Sequence, residues 1–361
     1  MEETIPCSRS RLIFTDSASG ALDGVLKAAA PASVFMLADS NTMTAVADSL
    51  LDSLPVSDGV RLIVVPPGDD NKSLQSLSYI WQQLSDGGAT RSSLLVNVGG
   101  GMVTDIGGFA AATFKRGIRF VNIPTSLLAA VDASIGGKTG INFSGLKNEV
   151  GVFAEAEAVI VDASLFASLP HGELVSGYAE LLKHALLQSC EALYGALTFD
   201  LSEPDFVRLQ QLLRESILVK KRVVEADPFE RGLRKALNLG HTAAHAFESL
   251  AMERGCPVPH GVAVAWGLIV DLVLSHLVLQ FSADILRQVA AFIECHYLAP
   301  SFTCADYPRL ISLMRHDKKN RSAEAINFTL LRAVGHPEIN CEIAPDRISA
   351  AFDILRDLFH I

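Results

Sequence analysis

The stretch from Leu94 to Asn148 constrains the fold most, because it joins strand-like runs through three consecutive glycines. It begins with SLLVNV, a continuous apolar run that is typical of a strand buried in a parallel sheet. Gly99, Gly100 and Gly101 follow directly, and a helical pattern begins after them. Glycines allow a sharp turn and a close approach to a ligand, and N–H groups at a helix start favour an anion. The pattern therefore indicates either a nucleotide-phosphate loop or a tight strand-to-helix turn.

The same alternation of strands and helices extends on both sides of this stretch. The glycine spacing is not G-x-G-x-x-G, since Thr104 stands three residues after Gly101. Strand-like runs nevertheless recur between helical patterns, namely SVFMLAD, VRLIVVP, SLLVNV, RFVNIP and AEAVIVD. This rhythm predicts an N-terminal α/β domain over residues 1–160, built on a parallel, Rossmann-like sheet with helices on both faces.

Beyond Asp162 the chain is dominated by long helical patterns. They are HGELVSGYAELLKHALLQ, DFVRLQQLLRESILVKKRVVEAD, HGVAVAWGLIVDLVLSHLVLQ and ADILRQVAAFIECH. INFTLLRAV, near residue 330, is consistent with a returning strand, and PDRISAAFDILRDLFH with a closing amphipathic helix. Residues 161–361 are therefore predicted to form a second, mostly α-helical domain.

Composition narrows the class of protein. With 361 residues and 49% apolar content, the chain can build cores for about two domains. A net charge of −10 without a basic run argues against nucleic acid or an anionic membrane as partner. The start of the chain lacks a signal-peptide pattern, and we expect that no run approaches the ~20 apolar residues of a membrane span. Six scattered cysteines without a CxxC pair argue against disulfides or a thiolate zinc site. We expect a cytoplasmic protein.

Polar residues follow two of the predicted strands. Asp39 and Asn41 end the first strand, where a parallel sheet places ligand-binding side chains, although a helix-capping turn has the same pattern. Asp69 and Lys72 stand one turn apart at a predicted helix start, where a solvated ion pair has the same pattern. Spacing alone leaves both alternatives open.

The histidines of the second half indicate metal chemistry. His241 and His245 lie four residues apart on one helix face, Glu248 follows three residues later, and His260 precedes another helix. Two imidazoles at this spacing can bind a transition metal, but a pair of buried, hydrogen-bonded histidines gives the same pattern. Glu180 favours the metal, because it lies on an apolar helix where a carboxylate needs a cation.

Cationic residues are also distributed unusually. They are Lys138 in GGKTG, Lys147 in LKN, Lys183 one turn after Glu180, Lys220 on an apolar helix, and Arg234 four residues before Asn238. Each alone is interpreted as a solvated surface charge. Gathered around a metal, they would bind a strongly anionic substrate such as a phosphate ester.

Together these motifs resemble the dehydroquinate synthases, which are sugar phosphate cyclases. The resemblance runs from Ala38 to Arg332 and rests on GGGMVTDIGGF, KRGIRFVNIPTSLLAAVDASIGGKTGIN, SGYAELLKH, LRKALNLGHTAAHAFE, HGVAVAWG and MRHDKKN, in that order. It implies an α/β nucleotide-binding domain, a helical metal-binding domain and a homodimer. It also implies NAD, a divalent metal (zinc, with cobalt as an alternative), and conversion of 3-deoxy-D-arabino-heptulosonate 7-phosphate to 3-dehydroquinate and phosphate.

The resemblance assigns roles to individual residues. The implied metal ligands are Glu180, His241 and His260, so His245 becomes a substrate and proton-relay residue. The implied NAD positions are Asp39, Asn41, Asp69, Lys72, Gly99, Gly100, Gly101, Asp105, Thr125, Ser126, Lys138 and Lys147. The implied substrate positions are Asp132, Lys138, Asn148, Lys183, Lys220, Arg234, Asn238, His245 and Lys318, with Arg116 reaching the phosphate site of a neighbouring subunit.

Three positions depart from the family pattern. Val262 stands where the family often has Glu, so a partner of the third metal ligand is missing or supplied elsewhere. Asp69 replaces a usual Glu and is one methylene shorter. His184, four residues after Glu180, is similar to a ligand position of the related iron-dependent alcohol dehydrogenases and glycerol phosphate dehydrogenases, and we interpret it as part of the site wall. A metal-dependent polyol or glycerol phosphate dehydrogenase, or a non-catalytic nucleotide-binding relative, is the alternative function.

Overall fold

The computed structural model describes most of the chain. The described residues are 2–54, 59–227, 232–315 and 325–361. Lys318, one of the implied substrate residues, lies outside them.

The chain forms two compact units. The first comprises Met1–Pro170 and Asp205–Ile217, and the second comprises His171–Pro204 and Leu218–Ile361. We predicted one boundary after residue 160. In the structure the first unit continues to Pro170 and also includes Asp205–Ile217, which contains the first part of the helix Phe206–Ala226.

The first unit is an α/β structure. Its described strands are β1 (Glu3–Cys7), β2 (Ser10–Phe14), β3 (Val34–Asp39), β4 (Val60–Val65), β5 (Leu94–Gly99), β6 (Arg119–Pro124), β7 (Lys138–Phe143), β8 (Leu146–Phe153) and β9 (Ala158–Val161). Its described helices are α1 (Ala18–Ala29), α2 (Ser40–Thr42), α3 (Asp48–Asp52), α4 (Leu74–Asp86) and α5 (Gly101–Thr113), with a π-helical segment at Met43–Ala47.

Seven strands form one sheet in the order β1-β2-β9-β6-β5-β3-β4. All neighbours are parallel except β1 and β2, which pair antiparallel. The central strand β5 is buried along its whole length, which agrees with the apolar run SLLVNV. The predicted parallel sheet is confirmed, whereas the edge pair β1–β2 was not predicted.

The winding of the sheet reverses at β3. This strand lies between β4, which follows it along the chain, and β5, from which the chain continues to β6 and β9. The carboxyl ends of β3 and β5 are therefore neighbours at a topological switch point, which is where open α/β sheets bind ligands. Asp39 ends β3 and Gly99 ends β5.

A separate hairpin, β7–β8, carries three of the implied site residues. Lys138 is the first residue of β7 and pairs with Phe153, while Lys147 and Asn148 lie near the start of β8. Gly140 and Gly151 face each other in this pairing. No strand was predicted here, because β8 is exposed throughout and its sequence lacks a regular alternation of apolar and polar residues.

The second unit is mostly helical. Its described elements are α6 (His171–Gln188), α7 (Cys190–Leu197), the later part of α8 (Phe206–Ala226), α9 (His241–Glu253), α10 (His260–Leu279), α11 (Ala283–His296), α12 (Tyr307–Arg315), β10 (Ile326–Ala333), β11 (His336–Ile343) and α13 (Pro345–Leu358). A 3₁₀ segment, Leu233–Asn238, precedes α9. β10 pairs with β11 in a separate two-stranded sheet rather than returning to the large one.

Helix α10 is the core helix of the second unit. By length and composition it is apolar enough to cross a membrane, so the expectation that no such run exists was wrong. Of its most apolar window, 78% is buried inside the protein, which accounts for its composition. Among the described residues it is the one helix that meets this criterion.

Candidate active site

In the second unit, glycines bring three helices to backbone contact. A Cβ added at Gly261, in the first turn of α10, would overlap the carbonyl oxygen of Ser176 on α6. The amide of Gly261 also donates to Ser176 Oγ at 3.1 Å. A Cβ at Gly267 would overlap the carbonyl oxygen of Gly240, just before α9. Helix α10 therefore lies directly against α6 and the start of α9.

The start of α9 is held in place by a buried carboxylate. Gly240 adopts a left-handed conformation with φ of 80°, which favours glycine. Its amide donates to Oδ2 of Asp271 at 2.5 Å, and Asp271 is a fully buried residue of α10. This contact fixes the position of His241, the next residue. Sequence reasoning missed Asp271, although a single carboxylate in an otherwise apolar helix was a usable signal.

Three side chains converge where these helices meet. His241 Nε2 lies 3.2 Å from Glu180 Oε1, and His260 Nε2 lies 3.7 Å from the same oxygen. The ligand atoms of the three residues all lie within 4.8 Å of one another. In a tetrahedral zinc site with bonds of about 2.05 Å, ligand atoms stand about 3.3 Å apart, so the cluster matches the size of such a site.

The far side of each imidazole is held by an acceptor. Nδ1 of His241 lies 3.0 Å from the carbonyl oxygen of Leu239, and Nδ1 of His260 lies 3.2 Å from Glu248 Oε1. Because these oxygens only accept, both Nδ1 atoms carry the proton when the rings are neutral. Both Nε2 atoms then present lone pairs toward Glu180, an arrangement that a cation would stabilise.

The charges around the cluster favour a cation. Burial alone would raise the pKa of Glu180, but Lys183 and the histidines lower that pKa well below its ordinary value. Burial and Lys183 lower the pKa of His241 to about 4, so its imidazole is neutral at neutral pH. Burial opposes protonation of His260, yet hydrogen bonds to Glu180 and Glu248 raise its pKa to about 10. We infer that the two carboxylates attract positive charge, whether proton or metal ion.

The carboxylate of Glu180 also indicates whether the cluster suits a metal ion. Both of its carboxylate oxygens are buried, and neither accepts a well-aligned hydrogen bond from the described residues. Buried carboxylates are normally satisfied by hydrogen bonds or by a cation. Two lone-pair donors and a buried anion together match the three-ligand donor set of a catalytic divalent-metal site.

His245 and His184 lie outside this cluster. Among the described residues, the group close enough to hold a metal contains Glu180, His241 and His260. The His245 ring is exposed and lies 5.6 Å from the His241 ring, beside the site. His184 is fully buried on α6. The spacing of four residues between His241 and His245 therefore identified the correct face of the helix. Of these two histidines, however, only His241 belongs to the cluster.

Several predicted cations are buried rather than solvated. Lys183, Lys220 and Arg234 are each at most 5% exposed, so their interpretation as surface charges was wrong. The ammonium of Lys183 contacts Glu180 and donates to the carbonyl oxygen of Leu237 at 2.9 Å. Lys183 thereby joins the cluster of Glu180, His241 and His260 to the 3₁₀ segment that carries Arg234 and Asn238.

In the first unit, the glycine loop forms the start of α5. A Cβ at Gly99 would lie 2.6 Å from Val103 Cβ, so glycine is required for this tight strand-to-helix turn. Gly100 is the N-cap of α5, and no side chain of the described residues caps the helix. Its first N–H groups thus remain available to an anion. The structure therefore shows the tight strand-to-helix turn, and this turn is compatible with an anion at the helix start.

Asp39 acts as a helix cap. Its Oδ1 accepts from the amides of Asn41 and Thr42, each at 2.9 Å, and its Oδ2 accepts from Thr42 Oγ1 at 2.9 Å. The capping alternative for Asp39 is therefore what the structure shows. Asn41 is exposed at the same edge of the sheet.

A polar network joins the hairpin β7–β8 to the turn before α4. The ammonium of Lys72 contacts the side chains of Asp105 and Asn148, and Lys147 Nζ lies 3.3 Å from Asp69 Oδ2. The amide of Asn142 also donates to the carbonyl oxygen of Lys72 at 2.8 Å. The solvated Asp69–Lys72 pair, one of the two alternatives left open, is not what the structure shows: each side chain pairs with another partner, and Lys72 is buried.

The remaining residues of the first unit that the resemblance assigned to the site lie in two places. Thr125 donates its amide to the carbonyl oxygen of Gly99 at 3.0 Å, which places it and Ser126 beside the glycine loop. A Cβ at Gly101 would lie 3.3 Å from Ala133, beside Asp132 in sequence. Arg116 instead follows the far end of α5, whose 13 residues span about 20 Å.

Comparison with known proteins assigns the chain to a family. Residues 62–176 match the family model described as 3-dehydroquinate synthase N-terminal, and residues 177–320 match 3-dehydroquinate synthase C-terminal. The 3-dehydroquinate synthase of Parabacteroides distasonis is 47% identical over 91% of this chain and 92% of that protein. The chain belongs to the 3-dehydroquinate synthase family.

Two further similarities agree with this assignment. The 3-dehydroquinate synthase of Leptospira interrogans is 36% identical over 92% of this chain and 91% of that protein. A 2-deoxy-scyllo-inosose synthase, solved with carbaglucose-6-phosphate, NAD+ and Co2+, has the same fold. Its TM-score is 0.86 at 19% identity, with coverage of 99% of this chain and 100% of that one. The chain is therefore a member of an enzyme family and shares the fold of this 2-deoxy-scyllo-inosose synthase.

The Lys72 network offers a test of how this family member is stabilised. Replacing Lys72 by methionine removes the buried cation that Asp105 contacts, and we expect the free energy of unfolding to fall by roughly 3 kcal/mol. Lys147→Met removes a half-exposed ion pair instead, and should cost less than about 1 kcal/mol. Chemical denaturation followed by circular dichroism measures both. Equal losses for the two variants would contradict the role assigned to Lys72.

Proposed function

We propose that the chain is a 3-dehydroquinate synthase, which converts 3-deoxy-D-arabino-heptulosonate 7-phosphate to 3-dehydroquinate and inorganic phosphate. The observation that carries this proposal is the cluster of Glu180, His241 and His260, with the buried Lys183 in contact with Glu180. Relatives of the same family, similar over nine-tenths of the chain, support it.

We assign NAD to the first unit and the metal and substrate to the second. The uncapped start of α5 at the topological switch point supports the first assignment, since both features favour a nucleotide phosphate. Lys72 and Asp105, which close this edge against the hairpin, would border the cofactor. The donor set of the second unit supports zinc, and cobalt has similar ligand preferences.

The two cofactors would supply the redox and acid chemistry. Bound NAD would supply reversible hydride transfer at C5 of the substrate. The bound metal would acidify the C5 alcohol and stabilise its negative charge. Glu180, His241 and His260 would hold that metal, and the acceptors behind the two histidines would keep their Nε2 atoms in position.

The chain's own side chains would orient the substrate and move its protons. Lys183, Lys220 and Arg234 are buried cations suited to an anionic substrate, and Asn238 lies on the same 3₁₀ segment as Arg234. His245, exposed beside the metal cluster, would exchange protons with substrate hydroxyls. Further contacts are assigned to Asp132, Lys138, Asn148 and Lys318.

Elimination of phosphate then requires little from a protein base. Once C5 is a ketone, the C6 proton is acidic, and the substrate's own phosphate can accept it as the C–O bond to phosphate breaks. Return of hydride to C5, ring opening and an intramolecular aldol closure complete the reaction. The site would act in these steps mainly by holding the reacting ends together.

Phosphate release separates this function from the dehydrogenase alternative. Purified protein with NAD should release phosphate from the heptulosonate phosphate, lose this activity with a chelator, and recover it with zinc or cobalt. A polyol or glycerol phosphate dehydrogenase would instead accumulate NADH with an alcohol substrate. Accumulation of NADH without phosphate release would overturn the proposal, and an inactive protein that still binds NAD would favour a non-catalytic relative.

We also propose that the enzyme works as a homodimer in which Arg116 serves the partner's site. Arg116 follows the far end of α5, about 20 Å from the glycine loop of its own chain. Lys115 and Arg116 both have positive φ, of 50° and 66°, so this turn holds a strained backbone that presents an exposed arginine. In a homodimer, this exposed side chain would contact the phosphate of the substrate in the partner's site.

Complementation between two inactive variants tests this dimer. Arg116→Ala and His241→Ala should each be inactive alone as homodimers. A heterodimer purified with two different tags should recover about half of the wild-type rate, because one of its two sites is then complete. Absence of recovery in the purified heterodimer would contradict a role for Arg116 across the interface.

A further inference from the structure

The two histidines of the metal cluster are held by acceptors of different charge. Nδ1 of His241 donates to a neutral backbone carbonyl, that of Leu239, at 3.0 Å. Nδ1 of His260 instead faces the carboxylate of Glu248 at 3.2 Å. A carboxylate behind an imidazole fixes its ring orientation and increases the basicity of the opposite nitrogen more than a neutral acceptor does.

Helix geometry places Glu248 at this point. Glu248 lies seven residues after His241 on α9, two turns along the same helix face. Its side chain is 17% exposed, and its Oε1 reaches across to His260 in the first turn of α10. The carboxylate therefore bridges from the helix of one metal-cluster histidine to the other.

The first turn of α10 contains no acidic residue that could accept a hydrogen bond from Nδ1 of His260. Val262, two residues after it, is apolar and buried, so its side chain offers no hydrogen-bond acceptor. The other carboxylate beside this ring is Glu180, which faces Nε2 rather than Nδ1. Within the described residues, the carboxylate in contact with Nδ1 of His260 is Glu248.

We propose that Glu248 is a positioning residue for the metal centre, which sets the tautomer, ring orientation and donor strength of His260. This inference rests on the proposed metal site at Glu180, His241 and His260. It predicts that Glu248 controls metal affinity and the geometry of the bound ion. A merely structural link between α9 and α10 would instead change the stability of the protein but leave the ligand field of the metal unaltered.

Metal titration of the full-length chain tests this role without an activity assay. Zn2+ affinity is measured by competition with a chelator, and the visible ligand-field spectrum of the Co2+ protein reports coordination. Glu248→Ala should weaken Zn2+ binding about 10- to 100-fold and alter the Co2+ spectrum. Glu248→Gln keeps an acceptor oxygen without its charge, so it should show a smaller loss in affinity.

Glu253→Gln is the matched control. Glu253 is a more exposed carboxylate on the same helix and pairs with Arg309, so this variant should bind both metals as wild type does. Unchanged Zn2+ affinity and Co2+ spectrum in Glu248→Gln and Glu248→Ala would overturn the proposal, and the near-isosteric Gln variant alone decides if the Ala variant does not fold. If the wild-type protein bound no metal, the proposed metal site itself would be wrong. This outcome differs from one in which the wild-type protein binds metal but Glu248 has no effect.

Discussion

His241→Ala should abolish phosphate release from the heptulosonate phosphate and should leave the purified protein without its metal. The variant removes one of three converging donors, and His241 Nε2 lies nearest to Glu180 at 3.2 Å. Charge stabilisation by a catalytic metal amounts to several kcal/mol, so the rate should fall about 10³-fold or more. Metal content by mass spectrometry and a phosphate-release assay measure the two effects together.

The control is a histidine far more exposed than His241. His360 is 84% exposed at its side chain, and His360→Ala should keep both metal content and activity. Circular dichroism of each variant verifies that the fold is retained. Wild-type metal content and activity in His241→Ala would show that this imidazole is not a ligand.

Gly261→Ala should disturb the metal centre through the backbone. The added methyl group would overlap the carbonyl oxygen of Ser176 and would lie 2.9 Å from Ser176 Cα. Since α6 cannot yield locally at its backbone, α10 must move away, and His260 then moves relative to Glu180. We expect a loss of roughly 2–3 kcal/mol in the free energy of unfolding, as for overpacked cores. Metal affinity should fall as well, which chelator competition measures.

Gly172→Ala provides the matched comparison on α6. No heavy atom lies within 4 Å of a Cβ added at Gly172, and its φ lies outside the positive range that disfavours alanine. Because alanine is the better helix former, this variant should be neutral or more stable by up to about 1 kcal/mol. If Gly261→Ala matched it in stability and metal affinity, close contact between α6 and α10 would not be required for the site.

The parallel sheet could be predicted from sequence because its strands are continuous apolar runs. SLLVNV became β5, which is buried along its whole length, and the glycines after it became the first turn of α5. The hairpin β7–β8 could not be predicted in the same way. Its outer strand is exposed throughout, and its position depends on polar contacts of Lys72 and Asn142 that are distant in sequence.

For the site as well, spacing within one helix could be predicted from the sequence, but contacts between helices far apart in the sequence could not. Spacing placed His241 and His245 on one face of a helix, but it contained no information on the helix opposite. Glu180 and His260 complete the cluster because Gly261 and Gly267 let α10 approach its neighbours. The resemblance to a family supplied that ligand set, whose metal-binding role stays a prediction.

Burial of charge was the least predictable property. Lys183 and Arg234 looked like surface residues, since the sequence shows only that they are cationic. Their burial depends on tertiary packing around Glu180 and the 3₁₀ segment. Glu248 was visible on the helix face of His241, but its contact with His260 required the arrangement of two helices.

A multiple-turnover experiment with limiting NAD tests the proposed activity most directly. The enzyme is supplied with NAD in an amount equal to its sites and with excess heptulosonate phosphate, and phosphate, 3-dehydroquinate and NADH are measured together. We expect phosphate and 3-dehydroquinate in equal amounts that far exceed the NAD supplied, without accumulation of NADH. Formation of NADH in proportion to product, or no release of phosphate by the metal-loaded enzyme, would contradict the account.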